Sequence, residues 1–185
     1  MIISVELHKP IPAGYGMQLK SKPHLIRERR KSRFSLWYNA KRDKAMETQS
    51  NARTIRITQS VRLAIEEHAF KSRPAECCGL LSGRDSVITE IHPLRNDAEK
   101  PETRYFATPE ELFAAMRRIR ESGQALLGVY HSHPRTPAYP SQSDVEMAFY
   151  PEAFYFIISL EPSVELRAFK IESSKIEDVE IVRSP

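Results

Sequence analysis

Cysteine is scarce in this chain: two among 185 residues, adjacent at Cys77 and Cys78. Neighbouring cysteines rarely bridge each other, and two make no disulfide framework. That excludes the disulfide-stapled secreted scaffolds and sets the expected compartment as the reducing cytoplasm. Long hydrophobic runs are missing as well. No apolar stretch approaches the roughly 20 residues a spanning helix needs. The opening MIISVELHKP has no basic segment ahead of an apolar one, so neither a membrane partner nor a secretory signal is expected. What remains is an ordinary 41% hydrophobic content in a length that suits one domain, or one domain plus a tail.

Negative charge is thin at one end only. The net charge is +4, but residues 1–45 carry eleven Lys/Arg against three Asp/Glu, a net of +8. Residues 46–185 carry seventeen against twenty-one, a net of −4. Prolines 10, 12 and 23, glycines 14 and 16, and the basic run Arg27, Arg29, Arg30, Lys31 and Arg33 show no sustained period. Residues 1–50 are therefore expected to be a basic, weakly ordered extension, and 51–185 the folded domain. Phe34, Leu36, Trp37 and Tyr38 are the extension's apolar segment. No recognised nucleic-acid module accompanies it, so nucleic acid is not the expected partner.

From Thr54 the pattern turns regular. Ile55 and Ile57 form a short strand, and Thr58 or Ser60 caps a helix through Val61, Leu63, Ala64, Ile65, Ala69 and Phe70 that ends before Pro74. Residues 77–81 read as a buried strand, 83–85 as a turn, and Val87, Thr89 and Ile91 as the returning strand. Thr108-Pro109-Glu110-Glu111 opens a second helix carrying Leu112, Phe113, Met116 and Ile119, closed by Gly123. A strand at 125–130, a Pro-rich loop at 134–140 and a short helix with Asp144, Val145, Met147 and Ala148 follow, then strands at 154–160, 164–171 and 176–182. This order predicts an α/β domain of the α+β type, a mixed central sheet flanked by helices and not a doubly wound array.

The strand at 125–130 delivers His131 and His133 around a single serine. Alternate residues on a strand point the same way, so both imidazoles can face one point. Asp144, after ten intervening residues, can complete an N/N/O set. That is the ligand count of a catalytic zinc, which keeps its fourth position for water. A hydrolytic zinc also needs a base and an oxyanion donor. Glu76, at the entry to an apolar strand, is the candidate base, since a carboxylate is expensive to bury there without a partner; from position alone a solvent-exposed loop acid is favoured. Ser141 can approach a reacting carbonyl or cap the short helix, and the local geometry serves both. His68, without a partner at i+4, reads as a surface or core histidine, and His92, before Pro93 and without a spaced partner, reads as no ligand either. Cys77 and Cys78 point to opposite faces of one strand and read as small hydrophobes.

An HxH alone is a weak signal, and other hydrolases that use one do not fit. Amidohydrolase barrels need roughly 250 residues. Metallo-β-lactamase-like enzymes continue as HxHxDH where this chain has Pro134 and Arg135, and the HExxH of zincins is absent. Taken together, Glu76, His131-Ser132-His133-Pro134 and Ser141-Gln142-Ser143-Asp144 resemble the JAMM (MPN+) metalloprotease family. ECCGLLSG at 76–83 resembles its prokaryotic, Mec-like branch.

The resemblance spans about residues 54–171. It implies the cytidine-deaminase-like JAMM/MPN fold and one Zn2+ with a catalytic water, bound by His131, His133 and Asp144. It implies Glu76 as the base that shuttles the water's proton and Ser141 as the group that steadies the oxyanion. The implied reaction is amide or isopeptide hydrolysis at the Gly-Gly tail of a ubiquitin-like or sulfur-carrier protein, including release of cysteine from a carrier. The short segments 95–104 and 135–140 suggest a narrow groove that takes an extended tail by strand addition. The alternative is a non-catalytic MPN-type scaffold whose basic tail recruits an acidic partner or nucleic acid. No motif position is substituted, which sets the resemblance against that alternative.

Overall fold

Two threonines start the two long helices in a computed structural model that describes residues 54–184. The expected extension over 1–50 lies outside the described residues. Helix α1 (Gln59–Ser72) begins where Thr58 accepts a hydrogen bond from the Val61 amide. Helix α2 (Pro109–Glu121) begins where Thr108 accepts from the Glu111 amide. Pro109 sits in its first turn, with Glu110 and Glu111 against the positive end of the helix dipole. Gly123, at φ 68°, closes α2 in the left-handed region. The buried stripe of α1 is Val61, Ile65 and Ala69. Leu63 and Phe70, though apolar, face outward about half exposed. On α2 the fully buried residue is Ala115, while Phe113 points to solvent because it lies about 100° off the stripe of 112, 115, 116 and 119.

Among the described residues seven strands follow the expected order: β1 (Thr54–Thr58), β2 (Cys78–Arg84), β3 (Val87–Leu94), β4 (Ala125–His133), β5 (Phe154–Ser159), β6 (Glu165–Glu172) and β7 (Lys175–Ser184). A short helix α3 (Gln142–Glu146) lies between β4 and β5. In space the order is β1-β3-β2-β4-β5-β6-β7, and β1 also pairs with β7, so the mixed sheet closes on itself as a barrel. That closure has no signature in the sequence, because pairing of the first strand with the last leaves no local pattern. Strands β1, β3, β4, β5 and β7 run one way, and β2 and β6 the other.

The β2–β3 connection corrects one expectation. The turn is Asp85-Ser86, both at positive φ (50° and 59°), as a two-residue hairpin loop demands. Gly83 instead lies within β2 beside a register shift, where a Cβ would come 1.8 Å from the Val87 carbonyl oxygen. Side chains of α1 pack with residues of all seven strands in the main core. Helix α2 covers Cys78, Leu80 and Leu94 on the opposite face. Cys77 and Cys78 thus fall into different cores, as strand alternation requires, and both are free and buried. Among the described residues no helix is long and apolar enough to cross a membrane.

Candidate metal centre

The end of β4 sets the centre. Its register pairs Cys78 with His131. Ser132, fully buried, fastens the start of β2 twice: its amide donates to the Cys77 carbonyl at 3.0 Å and its Oγ accepts from the Cys77 amide at 2.8 Å. With β2 held there, Glu76 stands beside His133 across the two strands. The serine between the histidines therefore aligns the candidate base with the candidate ligands.

His131, His133 and Asp144 are all buried, and their ligand atoms lie within 4.8 Å of one another. The His131 and His133 Nε2 atoms are 3.1 Å apart, His131 Nε2 lies 3.2 Å from Asp144 Oδ1, and His133 Nε2 lies 3.5 Å from Asp144 Oδ2. Tetrahedral zinc with bonds near 2.0–2.1 Å needs ligand atoms about 3.3 Å apart, and these spacings, which end on both Asp144 oxygens, are of that size. The proton assignment supports the fit. His133 Nδ1 is 2.9 Å from the Pro137 carbonyl, which can only accept, so Nδ1 carries the proton and Nε2 offers a lone pair inward. Acceptor atoms buried face to face need a shared cation, either a proton or a metal ion.

The electrostatics divide the carboxylates. Burial alone would raise the Asp144 carboxyl, but hydrogen bonds with His131, His133 and Ser141 outweigh it and hold Asp144 well below the usual range. Burial lowers His131. For His133 burial acts downward too, yet its contacts with Asp144 and the Pro137 carbonyl leave it raised. Glu76 is 7% exposed. Burial pushes it up to about 7, with His133 opposing and Asp144 adding to the shift. It is not the solvent-exposed loop acid that its position alone favoured.

Ser141 caps α3, accepting from the Asp144 amide at 3.3 Å while its hydroxyl donates to Asp144 Oδ2 at 2.6 Å. Its amide adds a bond of 2.7 Å to the same oxygen. The capping role is thus realised, and donation to an oxyanion requires the hydroxyl to swing away from Asp144. His68 and His92 stand outside the His131, His133 and Asp144 group, as expected. His68 Nδ1 meets the Tyr130 hydroxyl at 2.7 Å, and His92 Nε2 meets Ser82 Oγ at 2.7 Å.

Two contributors have no motif. Tyr105 stacks on His131 with ring centroids 4.5 Å apart. Asn96 ties the 95–106 loop to the base: its Nδ2 donates to the carbonyls of Glu76 (2.9 Å) and Arg104 (2.8 Å), and its Oδ1 accepts from the amides of Ala98 and Phe106. A single asparagine in a polar loop carries little signal beyond its bias toward turns.

Comparison with known proteins adds to this geometry. The family described as prokaryotic homologs of the JAB domain matches residues 58–172. A desampylase from Haloferax volcanii is 38% identical over 95 residues, covering 50% of this chain and 68% of that protein. A CysO-cysteine peptidase from Mycobacterium tuberculosis is 34% identical over 111 residues, covering 58% and 76%. A protein from Desulfitobacterium hafniense, solved in solution, superposes with a TM-score of 0.65 at 34% identity, over 71% of this chain and 93% of that one.

Proposed function

This chain belongs to the prokaryotic JAB-domain family of JAMM-type hydrolases, and we propose that it cuts amide bonds at the Gly-Gly tail of a ubiquitin-like or sulfur-carrier protein. In this reading His131, His133 and Asp144 hold one Zn2+, Glu76 is the base, and Ser141 serves the oxyanion. The observation that carries it is the buried N/N/O triangle with a carboxyl near neutrality beside it.

Zinc, when bound, supplies a Lewis acid and lowers the pKa of a water to near neutrality. The residues do the rest. Glu76, poised at about 7, takes the proton of the attacking water and delivers it to the departing amine nitrogen, so the water's oxygen ends on the new carboxyl group. The Pro137 carbonyl fixes the His133 tautomer. Ser141, released from Asp144, donates to the oxygen of the scissile carbonyl. The substrate class follows the names of the relatives, one a CysO-cysteine peptidase and one a desampylase. We place the chain in the cytoplasm, a setting that fits its two unbridged thiols.

The test is to offer the zinc-loaded chain Gly-Gly-terminated carriers extended or conjugated through amide bonds. Cleavage that stops with a chelator and returns with zinc is expected. Cleavage that survives complete metal removal sinks the proposal.

A further inference from the structure

The cleft beside the metal centre is a cavity of about 270 Å³, and two arginines, Arg104 and Arg135, reach its wall together with Glu76, His133 and Asp144. Both arginines are exposed. Among the described residues neither guanidinium forms a hydrogen bond or an ion pair. Glu102, the cleft acid outside the catalytic set, does not pair with either one.

Their placement follows from the backbone. The carbonyls of Arg104 and Glu76 accept hydrogen bonds from the same Asn96 nitrogen, at 2.8 and 2.9 Å, so Arg104 is pinned on the side of the base. In the amide-hydrolase reading above, that is the side on which Glu76 would hand its proton to the departing amine. Arg135 stands two residues past His133, in a loop folded back by the bond from His133 Nδ1 to the Pro137 carbonyl. Two arginines whose guanidiniums have no partner among the described residues thus line the same cleft as Glu76 and His133.

Guanidinium forks match carboxylates. When the leaving group is a single α-linked amino acid, its carboxylate carbon lies only about 2.5 Å from the scissile nitrogen, two covalent bonds away. It must then share this cleft. When the leaving group is a lysine side chain of a conjugated protein, four methylenes follow the nitrogen and no anion accompanies it. We propose that Arg104 and Arg135 form a carboxylate subsite that selects a terminal amino acid with a free α-carboxylate as the group released from the tail. The proposal rests on the amide-hydrolase reading above and deepens it.

The experiment has two readouts. First, the zinc-loaded full chain is given a Gly-Gly-terminated carrier extended by one residue, as the free acid and as the carboxamide. The acid is expected to be favoured in kcat/KM on the order of 10-fold, chiefly through KM. Arg104→Gln and Arg135→Gln should each bring that ratio towards one, and Arg135→Lys should keep part of it. Second, the Glu76→Gln protein is titrated with the tripeptide Gly-Gly-Ala and its amide, followed by NMR. Tighter binding of the acid, lost when Arg104→Gln is added, is expected. Equal handling of acid and amide by the unaltered arginines overturns the subsite, as do arginine variants that weaken both forms equally. Failure to cleave either carrier would count against the hydrolase reading, and the tripeptide titration would then decide the subsite alone.

Discussion

Replacing Glu76 by Gln should abolish turnover while stabilising the metal-free fold, and the two effects come from the same burial. Glu76 is 7% exposed, and burial pushes its carboxyl from 4.5 to about 7. A raised acid holds its proton more tightly in the folded chain than in the unfolded one. Its contribution is therefore full below pH 4.5 and is lost as the pH climbs through about 7. At about 1.4 kcal/mol per pH unit, the interval sets a ceiling of about 3 kcal/mol. Solvent in the open cleft screens this to about 1–2 kcal/mol. Gln keeps the shape and removes the charge.

Urea melts of chelated wild type and E76Q at pH 5 and pH 8 measure the effect. The stability advantage of E76Q should widen by about 1–2 kcal/mol across that range. It should shrink when zinc is restored, because a divalent cation nearby offsets the buried carboxylate. Turnover of the zinc-loaded variant should fall by about 10²–10⁴-fold with metal content unchanged. An advantage that stays flat with pH, or a variant less stable than wild type at pH 8, would refute the reasoning.

Three further outcomes follow from the same geometry. Ser132→Ala orphans the buried Cys77 amide and should cost about 1–3 kcal/mol, a fall in Tm of about 3–10 °C, with slower turnover as Glu76 loses its register; an unmoved melt would show that the bond contributes nothing. Asp144→Asn removes the single anionic member of the proposed ligand set and should leave the purified chain without stoichiometric zinc, which elemental analysis reads directly. Gly79→Ala would set a Cβ 2.4 Å from the Tyr130 ring and 2.5 Å from the His92 carbonyl oxygen; it should destabilise by about 1–3 kcal/mol in a denaturant melt, and a soluble variant of wild-type stability would mean the three strands spread more easily than their register suggests.

Much of this fold was legible because its signals are local. Thr58, Thr108, Pro109 and Gly123 act within one helical turn, and each stands where its capping chemistry implied. His131 and His133 were readable because strand alternation needs only two residues. The misreadings arose where distance decides. The β1–β7 pairing joins residues far apart in sequence. Phe113 reads as core until the opposing strands show which stripe of α2 they accept. The sequence pattern places the hairpin turn at 83–85, yet the left-handed pair is Asp85 and Ser86, and Gly83 answers a close approach from the facing strand. At the site, Ser132, Asn96 and Tyr105 escaped because each acts through a neighbour brought in by tertiary folding.

The shared direction of five strands gives the barrel two unlike ends. His133 closes β4 at the end where β1 and β7 also finish, so Ser184 leaves the fold on the side of the candidate metal centre. Thr54, paired with Glu180, enters from the other side. In a chain trimmed to residues 54–185, a purification tag or fluorescent reporter joined directly to Thr54 would therefore start on the side away from an approaching carrier protein. The same cargo fused after Ser184 would share the carrier's landing side, which makes the choice of fusion end a steric variable in any assay with a folded substrate.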